Sequence, residues 1–159
     1  MAILETRHLT HRFSPGAAAV NDVSLSIREG EFVTIVGPNG SGKTVLVQHF
    51  NGLLSPTSGE VLYDSLPIKR NLHTVRQRIG MVFQNADTQI VGETVWEDTA
   101  FGPENLRLSG SEIEERTETA LTAVGLIHLR NRQPHTLSGG ERKKLAIAGV
   151  LAMEPRIIV

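Results

Sequence analysis

A run of eight residues has the types and spacing of a loop that can hold a polyphosphate. Residues 37–44 read Gly-Pro-Asn-Gly-Ser-Gly-Lys-Thr, which fits the pattern G-x-x-x-x-G-K-[ST] in full. In such a loop backbone N–H groups surround phosphate oxygens, the lysine reaches the β- and γ-phosphates, and the last hydroxyl binds Mg²⁺. The pattern predicts phosphate chemistry here if the loop follows a strand and opens a helix.

The residues on both sides of this loop favour that interpretation. Residues 31–36 are β-branched and apolar, which predicts a buried strand, and residues 45–50 can continue as a helix. The loop glycines let the backbone turn its N–H groups inward, and the helix start adds unpaired N–H groups with a positive dipole end. The alternative is a glycine-rich turn that only caps a helix. We predict a phosphate-binding set made of Gly37, Pro38, Asn39, Gly40, Ser41, Gly42, Lys43 and Thr44, with Thr44 also binding the metal.

A second run of residues, Leu-Ser-Gly-Gly-Glu at 137–141, has the composition of an anion-binding helix start. Ser138 offers a hydroxyl, and Gly139 and Gly140 leave backbone N–H groups accessible at the first turn. The alternative is an ordinary N-cap followed by a glycine hinge. Next to a phosphate loop we favour the anion-binding interpretation.

The periodicity of the remaining chain predicts an α/β fold. The glycine loop should be followed by a helix that ends near Asn51-Gly52. Predicted strands cover residues 3–13, 22–28, 31–36, 60–64, 79–83 and 156–159. Predicted helical segments are residues 94–106 with an interruption at Gly102-Pro103, residues 111–124 opened by a Ser111/Glu114 capping box, and a helix from the Ser138/Glu141 box to about Ala152.

These elements suggest one incomplete domain with three parts. Residues 1–84 form a nucleotide-binding α/β core, residues 85–153 form a helical subdomain, and residues 154–159 begin another buried strand. We expect that last strand to lie beside residues 31–36.

Composition excludes several other classes of function. A formal net charge of −1 over 159 residues argues against a nucleic-acid binder that works through a bulk positive field. The chain has no cysteine, so thiolate metal sites and disulfides are absent. Its six histidines show no paired metal-ligand spacing, and we expect them to be surface or core residues. No apolar run is long enough to span a bilayer, so any membrane role must come through a partner.

Taken in order, the glycine loop, Gln84 and the Leu-Ser-Gly-Gly-Glu run resemble the ATP-binding subunits of ABC transporters. Residues 81–91, 101–106 and 146–153 look like the energy-coupling-factor branch, which includes the ATPases of cobalt, nickel and vitamin importers. The resemblance covers essentially the whole chain. It implies a P-loop NTPase core with an N-terminal antiparallel β part and a helical subdomain.

The resemblance also implies roles for individual residues. Phe13 would stack on adenine, although an ordinary strand aromatic is the alternative. Gln84 would contact Mg²⁺ and the attacking water and couple the site to a membrane partner, although a polar strand end is the alternative; with Lys43 it makes up the catalytic pair. Ser138, Gly139 and Gly140 would close over the γ-phosphate of a nucleotide held by a second subunit. Glu141 stands where glutamine is also common.

The same resemblance implies ATP and Mg²⁺ as cofactors. The implied partners are a second ATP-binding subunit and a transmembrane subunit, with no nucleic acid, on the cytoplasmic face of the membrane. In the family, an aspartate, a catalytic glutamate and a histidine follow the strand at 156–159, beyond Val159. We therefore expect a truncated copy that lacks the C-terminal part of the core and is inactive alone. The first hypothesis is an import ATPase when full length. The alternatives are a non-hydrolysing nucleotide-binding fragment and, less consistently, a soluble ABC-type ATPase of repair or translation.

Overall fold

The computed structural model describes residues 2–14 and 16–159, which form two compact units. One unit ends at Arg76 and the second runs from Gln77 to Val159, so the boundary lies inside the helix α2 (Leu72–Arg78). None of the helices in the described part of the chain has the length and apolar character needed to cross a bilayer.

An antiparallel sheet dominates the first unit. Its strands are β1 (Ala2–His11), β2 (Val20–Arg28), β3 (Ser58–Tyr63) and β4 (Leu66–Pro67), in the spatial order β2-β1-β3-β4. The central strand β1 pairs with β2 through Leu4–Ile27 and with β3 through Leu4–Tyr63. Helix α1 (Lys43–Phe50) starts at the end of the glycine loop, and Leu46, His49 and Phe50 are its buried residues. The predicted N-terminal antiparallel part is therefore confirmed.

The prediction of a buried strand at residues 31–36 is wrong. Among the described residues no strand ladder includes this segment, and the Phe32 side chain is 97% exposed. A run of β-branched residues reports a preference for a pleated, half-buried surface, and the strand forms only where a neighbour supplies the hydrogen bonds. The expected pairing of this segment with residues 156–159 is likewise not found among the strand pairs of the described residues.

Three helices pack together in the second unit: α3 (Val95–Asn105), α4 (Gly110–Ala123) and α5 (Gly139–Leu151). Their buried apolar residues, which include Val95, Leu121 and Leu145, form one cluster with Leu126 and Leu137 from the segment between α4 and α5. A short parallel pair, β5 (Ile79–Gly80) and β6 (Ile157–Ile158), completes the unit. Beyond β5 the pairing continues, because Val82 N–H donates to the Val159 carbonyl at 2.8 Å.

Two helix boundaries differ from the prediction. The capping box of α4 uses Ser109 and Glu112, because Gly110 already has helical geometry and Ser109 is the last extended residue. The predicted Ser111/Glu114 box is therefore wrong by two residues. Helix α3 is continuous through Pro103, and Gly102 serves close packing, since a Cβ there would lie 2.6 Å from the Met153 sulfur. Pro103 has no N–H to donate to the carbonyl of Thr99 one turn earlier, yet the helix continues to Asn105.

The predicted Ser138/Glu141 box is present at the start of α5. Three further features of the fold escaped the sequence prediction: β4, α2 and the Thr94/Glu97 capping box that opens α3.

Candidate functional site

At Gly42 the glycine loop passes close to the backbone of Ala19, the residue directly before β2. Gly42 is the N-cap of α1 and has a left-handed conformation with φ of 87°. A Cβ at this position would lie 2.1 Å from the carbonyl oxygen of Ala19, which no side chain could occupy. Gly42 is therefore required both for its φ value and for the space beside Ala19.

Lys43 folds its side chain back over the same loop. Its Nζ donates hydrogen bonds to the carbonyl oxygens of Gly37 at 2.8 Å and Pro38 at 2.7 Å. An ammonium group has three N–H donors, so two of them bind these carbonyls and the third can meet an approaching anion. The arrangement places a cation and the N-terminus of α1 next to each other, and both favour a negative ligand.

A cavity of about 510 Å³ opens beside this loop. Its lining comes from the loop and from the start of β2 with the residues before it, including Gly37, Pro38, Ser41, Gly42, Lys43 and Ala19. Asn39, Gly40 and Thr44 are exposed on the same loop. A Cβ on Gly40 would meet no atom within 4 Å, so this part of the backbone is accessible from outside. The loop residues therefore fit a polyphosphate: the cation, the glycine backbone and the free space lie in one place.

Phe13 and two histidines form a row of edge-to-face ring contacts in the first unit. The ring of Phe13 is 68% exposed and meets the ring of His11 edge-to-face at a centroid distance of 4.5 Å. His11 in turn meets His49 at 4.8 Å, and His49, on α1, is fully buried at 0% exposure. The sequence analysis expected core or surface histidines and did not pair these two, since 38 residues separate them.

Burial lowers the pKa of His49 below its ordinary value of 6.5. The hydrogen bond from Nδ1 to the Val45 carbonyl, at 2.6 Å, acts in the opposite direction but is the smaller cause. His49 is therefore neutral near pH 7, and its Nε2 is an acceptor.

Ser138 occupies the start of α5 in the second unit. Its Oγ donates to Glu141 Oε2 at 2.7 Å and its N–H donates to the same oxygen at 2.7 Å. These bonds lower the pKa of Glu141, so the carboxylate is charged and tied to the cap. A Cβ on Gly139 or Gly140 would meet nothing within 4 Å, so this helix start is accessible.

Gln84 is exposed and begins a segment that is anchored on α5. Asp87 forms an ion pair with Arg142 of α5 at 2.7 Å, and the same guanidinium donates to the carbonyl of Leu137, directly before Ser138. Further along the segment, the carboxylate of Asp98 accepts from the N–H groups of Val91 at 2.7 Å and Gly92 at 2.9 Å. Asp98 is 8% exposed, and burial raises its pKa against the opposing effect of those two donors.

The sequence analysis named neither Arg142 nor Asp98. The loop residues and Phe13 belong to the first unit, whereas Gln84, Ser138, Gly139 and Gly140 belong to the second. No pattern of spacing in the sequence pointed to the ion pair or to the buried carboxylate.

The glycine loop on an antiparallel β part and the three-helix unit that opens α5 with Ser-Gly-Gly are features of the P-loop fold of ATP-binding cassettes. The ABC transporter profile matches residues 20–159, and the chain belongs to the ABC transporter family.

Individual relatives place the similarity within that family. The energy-coupling factor transporter ATP-binding protein EcfA of Methanocaldococcus jannaschii is 49% identical over 162 residues, which span 100% of this chain and 58% of the relative. Among solved structures, CbiO1 from Clostridium perfringens has a TM-score of 0.89 at 40% identity; it is part of the ABC transporter complex CbiONQ. The similarity covers 99% of this chain and 64% of the CbiO1 chain.

A dimeric ATP-binding cassette in a post-hydrolysis state with ADP and Pi has a TM-score of 0.86 at 33% identity. That comparison covers 98% of this chain and 72% of the cassette. The chain thus spans a little over half the length of the curated relative, at 58%.

Substitution of Gly42 tests the close contact with Ala19. Gly42→Ala should lower the free energy of unfolding by more than the 1 kcal/mol or so typical of a strained left-handed alanine, because the new Cβ also collides with a backbone oxygen. Gly30→Ala is the matched control, since Gly30 has φ of 79° and no atom within 4 Å of its added Cβ. Equal destabilisation of both variants in urea unfolding would show that the Ala19 contact is unimportant.

The buried histidine gives a pH dependence of defined sign. Because the pKa of His49 is lowered on folding from 6.5, the unfolded chain binds its proton first as the pH falls. The free energy of unfolding that this group contributes should therefore be fully present above about pH 6.5 and decrease as the pH falls below it. The slope of that decrease is at most about 1.4 kcal/mol per pH unit. In His49→Gln the unfolding free energy should fall less steeply with decreasing pH, by up to the slope that the uptake of one proton gives. Identical slopes for the variant and the unaltered chain would contradict the burial argument.

Proposed function

We propose that this chain is the nucleotide-binding part of an ATP-binding subunit in an energy-coupling-factor or cobalt-type ABC importer. The observation that carries the proposal is the loop at Gly42 and Lys43, where a cation, a helix N-terminus and an open glycine backbone lie together beside a cavity of about 510 Å³. The 49% identity to EcfA supports the choice of importer class. The complete protein would bind ATP with Mg²⁺ and hydrolyse it to drive transport.

Each residue of the loop contributes a distinct interaction in this proposal. Lys43 exchanges its bonds to the Gly37 and Pro38 carbonyls for bonds to phosphate oxygens, which keeps the ammonium satisfied in both states. Backbone N–H groups of the loop and of the first turn of α1 bind the remaining oxygens. Thr44 and Gln84 would hold Mg²⁺, which when bound neutralises charge on the β- and γ-phosphates.

Two further groups complete the proposed nucleotide contacts. Phe13 offers an exposed ring face on which adenine can stack. Ser138, Gly139 and Gly140 form an accessible helix start, which suits contact with the γ-phosphate of a nucleotide held by a second subunit. We assign residues 1–84 to the nucleotide-binding core, 85–153 to the helical subdomain and 154–159 to the start of the next core strand.

The proposed partners follow from this arrangement. A second ATP-binding subunit supplies the nucleotide that the Ser138 region contacts, and the dimeric state of the related cassette supports this pairing. A transmembrane subunit receives the resulting motion through the segment after Gln84, which is tied to α5 by the Asp87–Arg142 ion pair. The subunit would act on the cytoplasmic face of the membrane. Lys43 and Gln84 are the residues that this chain would contribute when the complete protein hydrolyses ATP.

Removal of the loop cation tests the proposal directly. Lys43→Ala should weaken ATP binding by about a hundredfold or more, because charge-assisted hydrogen bonds contribute about 1.5–3 kcal/mol each. The measurement is an equilibrium titration calorimetry experiment with Mg²⁺ present.

Lys69→Ala, which removes an exposed lysine of the same unit outside the loop, is the matched control and should leave the affinity within twofold. Unchanged ATP affinity in Lys43→Ala would refute the assignment of the loop.

A further inference from the structure

Two buried histidines connect the helix of the glycine loop with the exposed ring of Phe13. His49 lies in the last turn of α1, whose first residue is Lys43, and His11 is the last residue of β1, two positions before Phe13. His11 is 8% exposed and His49 is fully buried, so both side chains lie beneath the surface. Any role in nucleotide binding must act through position.

The hydrogen bonds between the two rings assign their protons. His49 Nδ1 lies 2.6 Å from the carbonyl oxygen of Val45, so this nitrogen is the donor and Nε2 is the acceptor. His11 Nδ1 lies 3.1 Å from His49 Nε2 and 3.1 Å from the Ser55 carbonyl, so it carries a proton shared by both acceptors. The ring of His11 is thereby fixed at its Nδ1 atom, and the same ring meets Phe13 edge-to-face.

The backbone connects the same residues to the loop. The N–H of Ala19 donates to the carbonyl of His11 at 2.9 Å, and the carbonyl of Ala19 is the group that lies against Gly42. His11 is therefore linked to the loop twice: through Ala19 to Gly42, and through His49 to α1. Phe13 has only the ring of His11 as an aromatic neighbour in the described part of the chain.

We propose that His11 and His49 are positioning residues that hold Phe13 at a fixed place relative to the loop, so that base stacking and phosphate binding act on one ligand. This inference rests on the proposed function. It assigns to the pair a role in the preference for a nucleotide over a bare polyphosphate, because only the nucleotide presents a base to Phe13. A role in core packing alone would instead alter both ligands equally.

Amide substitutions at His11 and His49 remove individual contacts of these two side chains while keeping others. Asparagine places its amide near Nδ1 of histidine, and glutamine places it near Nε2. His49→Asn keeps a donor for Val45 and removes the contact with His11, whereas His49→Gln keeps a group that can accept from His11. His11→Asn keeps the donor toward Ser55 and His49 and removes the ring beside Phe13.

The test compares the affinities of the chain for ATP and for inorganic tripolyphosphate by titration calorimetry. Phe13→Ala should weaken ATP binding by about fivefold to a hundredfold, the range of base–aromatic stacking, and leave tripolyphosphate within twofold. His49→Asn and His11→Asn should each weaken ATP binding by about threefold to tenfold with tripolyphosphate unchanged, as a partial loss of that stacking. His49→Gln should restore the preference for ATP.

Two results would overturn the inference and a third would overturn the proposed function instead. Equal losses for ATP and tripolyphosphate in His49→Asn, or an unchanged ATP affinity in both asparagine variants, would reduce the pair to core packing. If circular dichroism shows that His49→Asn does not fold, His11→Asn, which keeps all the hydrogen bonds of the pair, decides. Failure of the unaltered chain to bind either ligand would contradict the phosphate-loop assignment itself.

Discussion

The contact between Gly42 and the carbonyl oxygen of Ala19 determines where the glycine loop lies. A Cβ on residue 42 would lie 2.1 Å from that oxygen, so only a glycine fits so close to the residues before β2. This close contact directs the first turn of α1 toward the cavity and puts Lys43 over the carbonyls of Gly37 and Pro38. A site for a polyphosphate needs both a cation and free N–H groups, and one backbone contact positions the two together.

The second unit presents an accessible helix start at the beginning of α5. Its three helices pack around one apolar cluster, and α5 begins with a charged capping box in which Glu141 binds the N–H and Oγ of Ser138. Arg142, one residue further, bonds both to Asp87 and to the carbonyl before Ser138. One guanidinium thus bonds to both the segment after Gln84 and the start of α5. A displacement of either would therefore shift the other.

Much of this arrangement could be predicted from the sequence, because glycine spacing and capping boxes are local rules. The start of α1 and the Ser138 cap follow from such rules, whereas the antiparallel β part was expected from the family resemblance. The strand prediction for residues 31–36 was wrong because strand formation depends on a hydrogen-bonding neighbour, which residue propensity does not report. The shift from Ser111 to Ser109 arose because Gly110 is a poor helix former that nevertheless begins α4. The pairs His11–His49 and Asp87–Arg142 join residues far apart in the chain, which only the folded structure brings together.

The central claim is that the backbone amides between Gly37 and Thr44 surround a triphosphate. The most direct measurement is a titration of the ¹⁵N-labelled chain with tripolyphosphate, followed by amide chemical shifts. The account predicts the largest saturable shifts at Gly40, Gly42, Lys43 and Thr44. Saturable shifts confined to other amides, with these four unchanged, would contradict it.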